Sequence, residues 1–162
     1  MSSFPSVVEA YEQQRVATAK ANGFSLFAIN GDNECPAHVY TIGLSQFKLP
    51  ELLCFSTPEM MPGTVAMMSQ LAAHLVEGVK RLPRLALVKS LIDRGITVSD
   101  PEIHYQPEFL QGDDFVYALQ GYVTRATRYR HELGMPRGVL VLNHDGVPTI
   151  QQIRAAKMLA AV

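Results

Sequence analysis

The chain has no tryptophan, two cysteines and little charge of either sign, with charged residues at 18% of the total. Cys35 and Cys54 are too few for a secreted disulfide framework, and both fall on segments that read as parts of successive strands. Reduced, buried thiols are therefore expected. Cys-x-x-Cys and His-Glu-x-x-His are absent, and no two of His38, His74, His104, His131 and His144 stand at one-, three- or four-residue spacing. The usual metal-site patterns are thereby missing, and no metal is expected. No Gly-x-x-x-x-Gly-Lys-Ser/Thr loop is present to cradle phosphates, and no motif implies a cofactor.

Fourteen lysines and arginines stand against fifteen aspartates and glutamates, for a formal charge of −1. The molecule as a whole carries no field that would steer it to nucleic acid or anionic lipid, so nucleic-acid binding is not expected. No stretch approaches the roughly 20 apolar residues of a membrane span. Met1-Ser2-Ser3-Phe4-Pro5 lacks the basic start and long apolar run of a secretory leader. A cytoplasmic protein without membrane association is the expectation.

Apolar residues make up 48% of the 162 positions, enough for a buried core and too many for a disordered chain. No repeat, linker or low-complexity stretch divides the chain, so residues 1–162 are read as one domain. Residues 6–21 set Val7, Val8, Tyr11, Val16 and Ala19 at near-helical spacing, and Asn22-Gly23 offers a left-handed stop. Phe24–Ile29 alternates as a strand and enters the turn-rich Asn30-Gly31-Asp32-Asn33. The return strand from about Ala37 to Leu44 places His38, Tyr40, Ile42 and Leu44 on one face and Val39, Thr41 and Gly43 on the other. Glu51–Ser56 is short and almost continuously apolar, as a central strand covered on both sides would be.

A clear 3.6-residue stripe (Val65, Met68, Leu71, Ala72, Leu75, Val76) predicts a helix from Pro62 to Gly78. Met60, Met61, Met67 and Met68 sit on or near it, as core or as an adaptable binding surface. Lys80–Gly95 is compatible with a helix, and Ile96–Val98 and Glu102–Gln106 with short strands around a Ser99-Asp100-Pro101 turn. Asp113 or Asp114 can cap a second long helix running to Gly134. Val139–Leu142 follows as a buried strand, His144-Asp145-Gly146 as a turn, and Ile150–Ala161 as a final helix with Ile153, Met158 and Leu159 inward. The sum is an α+β fold: a mainly antiparallel sheet, in two or three layers, covered by the Pro62–Gly78 and Asp114–Leu133 helices, with a half-open β-barrel as the alternative.

Tyr40-Thr41-Ile42-Gly43-Leu44, then Leu49-Pro50-Glu51-Leu52, and late in the chain Val141-Leu142-Asn143-His144-Asp145-Gly146-Val147-Pro148 resemble, in that order, a bacterial family known as domain of unknown function 4262. The likeness runs over roughly residues 24–150. Its members carry a Tyr-Thr-x-Gly-Leu strand, a Pro-Glu-Leu step and a late apolar strand closed by an Asp, Gly and Pro motif. This chain departs from them in having His38-Val39 where an aromatic residue commonly precedes the Tyr-Thr pair, and Asn143-His144 where Trp-Pro commonly precedes the late Asp. The resemblance implies bacterial origin and domain extent, and no reaction.

Candidate chemistry gathers at His38, Tyr40 and Thr41 on one strand and at His144 and Asp145 near the other end. A histidine can act as acid or base, an aspartate can orient it, and Tyr or Thr can donate hydrogen bonds. The structural alternative is a packed aromatic, a satisfied hydroxyl and a polar turn. Gly43 reads as a mid-strand glycine, marking a bulge or a close approach of another backbone or ligand. Arg125, Arg128, Arg130, His131 and Arg137 form the main basic concentration, and Arg125 or Arg128 could meet a small anionic ligand. Two functions are carried forward, with nothing in the residues deciding whether either is enzymatic. One is a small-ligand-binding domain whose pocket lies beside Tyr40, Thr41 and Asp145. The other is a non-enzymatic interaction module that works as a homodimer through the Met-lined helix.

Overall fold

The computed structural model of the chain describes residues 6–99 and 101–161. Residues 1–5, on which the reading of the N-terminus rests, lie outside them, as do Val162 and Asp100 of the Ser99-Asp100-Pro101 turn. Among the described residues no helix is long and apolar enough to cross a membrane.

Helix α1 (Val7–Asn22) opens on Ser6, whose Oγ accepts from the Glu9 N–H, and closes on Gly23 in the left-handed region, as the Asn-Gly stop predicts. Strands β1 (Ser25–Ile29) and β2 (His38–Ile42) form the expected antiparallel hairpin. A 3-10 turn (Leu44–Phe47) leads to β3 (Glu51–Phe55). Helices α2 (Met61–Gly78) and α3 (Arg84–Arg94) follow, then β4 (Ile96–Val98) and β5 (Ile103–Phe109). The chain continues through α4 (Gly112–Gly121), α5 (Thr124–Arg128), α6 (Arg130–Leu133), β6 (Val139–Asn143) and α7 (Ile150–Ala160). The sheet order is β1-β2-β3-β6-β5-β4, with β3 and β6 parallel and every other pairing antiparallel. The sheet is open, so the barrel alternative does not hold.

Alternation along β2 and β3 divides the core in two. Tyr40, Ile42, Leu53, Phe55, Val139 and Val141 face α1 and the α4–α7 segment, whereas Val39, Leu52, Cys54, Leu140 and Leu142 face α2 and α3. The two expected covering helices lie on opposite faces, which makes three layers, and both faces of β2 and β3 are buried. Met67 and Met68 lie in the α2 core, so these methionines fill space and present no binding face. Cys54 is buried in β3, where desolvation pushes its thiol up to about 12. Cys35, expected on a strand and buried, instead lies half-exposed in the β1–β2 connection.

The expected helix from Asp114 to Leu133 is broken twice, and the cause is packing. Tyr122 and Val123, at the first break, are both buried. Tyr122 leaves helical geometry at φ −128° to set its ring edge-on to His38 and Phe55. In α7 the first turn supplies the buried Ile150 and Ile153, while Met158 and Leu159, expected inward, are 69% and 77% exposed.

The start of β3 is held by one side chain. Glu51, 1% exposed, accepts four hydrogen bonds: from Thr41 Oγ1 (2.8 Å), Leu44 N (3.2 Å), Ser45 N (2.9 Å) and Ser45 Oγ (2.5 Å). Thr41 Oγ1 in turn accepts from Leu52 N at 2.8 Å. The carboxylate caps the 3-10 turn, which begins on Gly43 at φ +101°, just beyond the end of β2. A Cβ on Gly43 would stand 2.9 Å from the Gly23 carbonyl oxygen, so the glycine marks a close backbone approach. Glu51→Ala strands these donors in the core and is expected to cost more than about 3 kcal/mol, against about 1–3 kcal/mol for Glu51→Gln, which keeps the shape and one acceptor. Urea denaturation measures both; an alanine variant within about 0.5 kcal/mol of the parent would refute the role.

Candidate functional site

The residues singled out in the sequence occupy three separate places. Tyr40 and Thr41 are neighbours on β2 and so point to opposite faces. Thr41 belongs to the Glu51 arrangement at the N-terminal end of β3. His144 and Asp145 lie beyond the opposite end of the sheet, past Asn143. A single pocket beside Tyr40, Thr41 and Asp145 is therefore not formed.

Around His38 and Tyr40 the face is packed. His38 is 2% exposed, stacks near Tyr40 and donates from Nδ1 to the Pro36 carbonyl at 2.9 Å. Burial holds its pKa below the ordinary histidine value, helped by the nearby Arg125 charge and opposed by the backbone carbonyls of Pro36 and Tyr122. Burial likewise pushes the Tyr40 hydroxyl up. That hydroxyl accepts from Arg125 N and Nη1 at 3.4 and 3.3 Å.

Arg125 and Arg128, expected to meet an anionic ligand, already hold an internal anion. Glu12 of α1, 3% exposed, accepts from Arg125 Nε (3.1 Å), Arg128 Nη1 (2.5 and 2.9 Å) and Tyr129 Oη (2.9 Å). Burial alone would raise the Glu12 pKa, but Arg125, Tyr129 and Arg128 together hold it below the usual carboxylate value. A signal for this lay in the sequence: Val8, Glu12 and Val16 recur every four residues, which puts a carboxylate on the apolar stripe.

The third place is open. Strands β3 and β6 run parallel, and their following helices leave to opposite faces, α2 to one and α7 to the other. Adjacent parallel strands that part in this way leave a crevice beyond their carboxyl ends. A cleft of about 630 Å³ lies there, bordered by Met60 ahead of α2, by Thr149 and Gln152 at the start of α7, and by the start of β5. Buried His144, half-buried Asn143 and exposed Gln106, Glu102 and Asp145 line it.

The hydrogen bonds of these residues fix which of their atoms stay free. Asn143 Nδ2 donates to Glu108 Oε1 at 3.1 Å, and Gln106 Nε2 donates to the Ile92 carbonyl at 2.9 Å. His144 Nε2 meets the Phe55 carbonyl at 2.9 Å. A carboxylate or carbonyl oxygen only accepts, so each of these nitrogens must be the donor. Left over as acceptors are Asn143 Oδ1, Gln106 Oε1 and His144 Nδ1, while Asn143 Nδ2 keeps a second N–H and Gln152, whose Oε1 accepts from Thr149 N, keeps its Nε2 as a donor. His144 is 8% exposed, and its Nδ1 is buried without a partner. Gly146 lies over it, close enough that a Cβ there would stand 3.4 Å from Nδ1. The expected His144–Asp145 pairing is absent among these bonds, because the Phe55 carbonyl orients the ring. Among the described residues no lysine or arginine lines the cleft, and no cluster of His, Cys, Asp and Glu could hold a metal.

Sequence reasoning missed Gln106, Glu102 and Gln152, and noted Asn143 only as a departure from a motif. Isolated amides carry no periodic signal, and their roles depend on which atom is turned inward. No family model, curated protein or solved structure matches the chain.

Two measurements check this description. Because Glu12 titrates lower in the fold than in the unfolded chain, its contribution is present above roughly pH 4.3 and is lost as the pH falls toward its folded pKa. Glu12→Gln is expected to cost about 2 kcal/mol at pH 7, a figure discounted because Arg128 is half-exposed, and the gap to the parent should close in acid. A gap independent of pH would count against the ion pairs. Long-range ¹H–¹⁵N correlation spectra at neutral pH should show His38 protonated on Nδ1 and His144 on Nε2; the same tautomer at both positions would contradict the hydrogen bonds assigned here.

Proposed function

We propose that the protein binds a small, donor-rich molecule, an amine or comparable cation, in the cleft beyond β3 and β6. The observation that carries this reading is the pair of exposed carboxylates, Glu102 and Asp145, beside free amide oxygens in a cleft that no lysine or arginine among the described residues lines. Asn143 and Gln106 each direct an N–H into the protein and leave a carbonyl oxygen, with the carboxylates of Glu102 and Asp145 beside them. Among the described residues phosphates and carboxylates have no lysine or arginine to meet there, and the arginines once expected to receive them are held by Glu12. The volume lies within the 300–1,000 Å³ range of small-molecule sites. The likeness to the domain of unknown function 4262 family enters this proposal in one respect: its late motif, here Asn143 to Pro148, borders the cleft, whereas its Tyr-Thr-x-Gly-Leu and Pro-Glu-Leu motifs build the Glu51 arrangement.

The test is a thermal-shift panel of matched amines, guanidines, neutral amides, phosphates and carboxylates. An amine present at a hundred times its Kd stabilises by about 2.7 kcal/mol, a rise of roughly 5–10 °C for a chain of this size. Gln106→Met combined with Asp145→Asn removes an acceptor and a charge at exposed positions and is expected to abolish that rise while leaving the unliganded Tm within about 2 °C. Stabilisation by the anions, or an amine response untouched by the two substitutions, would refute the reading.

A further inference from the structure

A second cleft of about 630 Å³ adjoins the first, and Gln152 lines both. Its character is different. Cys35 and Pro36 of the β1–β2 connection form one wall, and Pro148, Ile153, Ala156 and Ala160 form the other. Asp32, Glu34 and Lys157, all exposed, are its charged residues. Gln152 is fixed as the divider, because its Oε1 accepts from Thr149 N in the capping box at the start of α7. The small side chains of Ala156 and Ala160, one turn apart on α7, leave the space open, while the hairpin loop opposite is held by Asp32 Oδ1, which accepts from Glu34 N and Cys35 N at 2.8 Å each.

We propose that the ligand is an amphiphilic amine, its cationic head among the acceptors of the first cleft and its apolar tail passing Gln152 into the second. This rests on the reading of the first cleft given above. A head group alone would leave the apolar walls of the second cleft exposed, whereas a tail covers them and gains roughly fourfold in affinity for each methylene buried. Among the described residues the first cleft carries carboxylates and no lysine or arginine, whereas the second carries Lys157 beside Asp32 and Glu34, so the head is placed in the first.

The probes are the n-alkylammonium ions from propyl to octyl, kept below their aggregation concentrations, with Kd measured by titration of the intact protein. Kd is expected to fall roughly fourfold per methylene over the longer members. Octylammonium should slow iodoacetamide alkylation of Cys35, and propylammonium should not; the fully buried Cys54 is the internal unreactive control. The reaction is run above neutral pH, because burial and the Asp32 charge raise the Cys35 pKa. Ala156→Trp, at an exposed helix position, fills the second cleft and should flatten the chain-length series while leaving propylammonium binding unchanged.

The outcomes separate the two readings. If propylammonium binds through Gln106 and Asp145 but affinity is flat with chain length and Cys35 stays unprotected, the tail site is wrong and the head site stands. If octylammonium binds in a way that Ala156→Trp abolishes but Gln106→Met with Asp145→Asn does not affect, the head site is wrong.

Discussion

The carboxylate of Glu51 is the contact on which the arrangement of the sheet depends. Isolated in the core with no cation beside it, it survives there because hydroxyl and backbone donors converge on its two oxygens. Those donors come from the end of β2 and the 3-10 turn, and the acceptor opens β3, so one group joins three consecutive pieces of chain. The turn reaches further: Gln46 Nε2 donates to the Ala19 carbonyl of α1, and the close approach at Gly134 brings the end of α6 against the Ser45 carbonyl. At the far end of β3, which pairs with β2 and β6 on either side, the Phe55 carbonyl sets the ring of His144.

Glu12 and Glu51 show two ways of burying an acid, with opposite effects on its proton. For Glu51 desolvation outweighs the donors, and its pKa is raised. For Glu12 two guanidinium groups and a phenol outweigh desolvation, and its pKa is lowered. The difference also explains why the basic concentration at Arg125 and Arg128 is no receptor for an external anion. α1 buries few of its apolar residues, leaving Val7 and Val8 exposed, so Glu12 is a principal attachment of that helix to α5 and α6.

Much of the fold was legible because its signals are periodic. The α2 stripe and the unbroken apolar run of β3 reflect which faces are covered, whereas β2 is buried on both faces and ends at Ile42, so that Leu44, expected on the face of Tyr40, packs in the opposite core. What failed depended on tertiary contacts. Tyr122 breaks a helix whose local pattern is sound because its ring is better placed against His38 and Phe55. Gly43 reads as mid-strand, yet its left-handed conformation ends β2. The candidate site was legible at His144 and Asp145 and misread elsewhere, because Tyr40, Thr41, Arg125 and Arg128 look reactive in a sequence and are satisfied inside the protein. A residue type states what a side chain can donate or accept; only the fold states what is left after its neighbours have been served.

That remainder separates the cleft from the packed places. Its position follows from topology alone: the parallel pair β3 and β6 sends α2 and α7 to opposite faces, and a gap opens where they part. Its chemistry follows from a separate constraint, since Glu108 and Ile92 each offer an acceptor and thereby draw one N–H of the Asn143 and Gln106 amides inward, leaving their carbonyl oxygens free. Neither constraint requires the other, and both select the same few residues. A cleft placed by the sheet could have carried cations, carboxylates or neither; this one carries two carboxylates beside the Asn143 and Gln106 carbonyl oxygens, and on them the proposed preference for a donor-rich molecule rests.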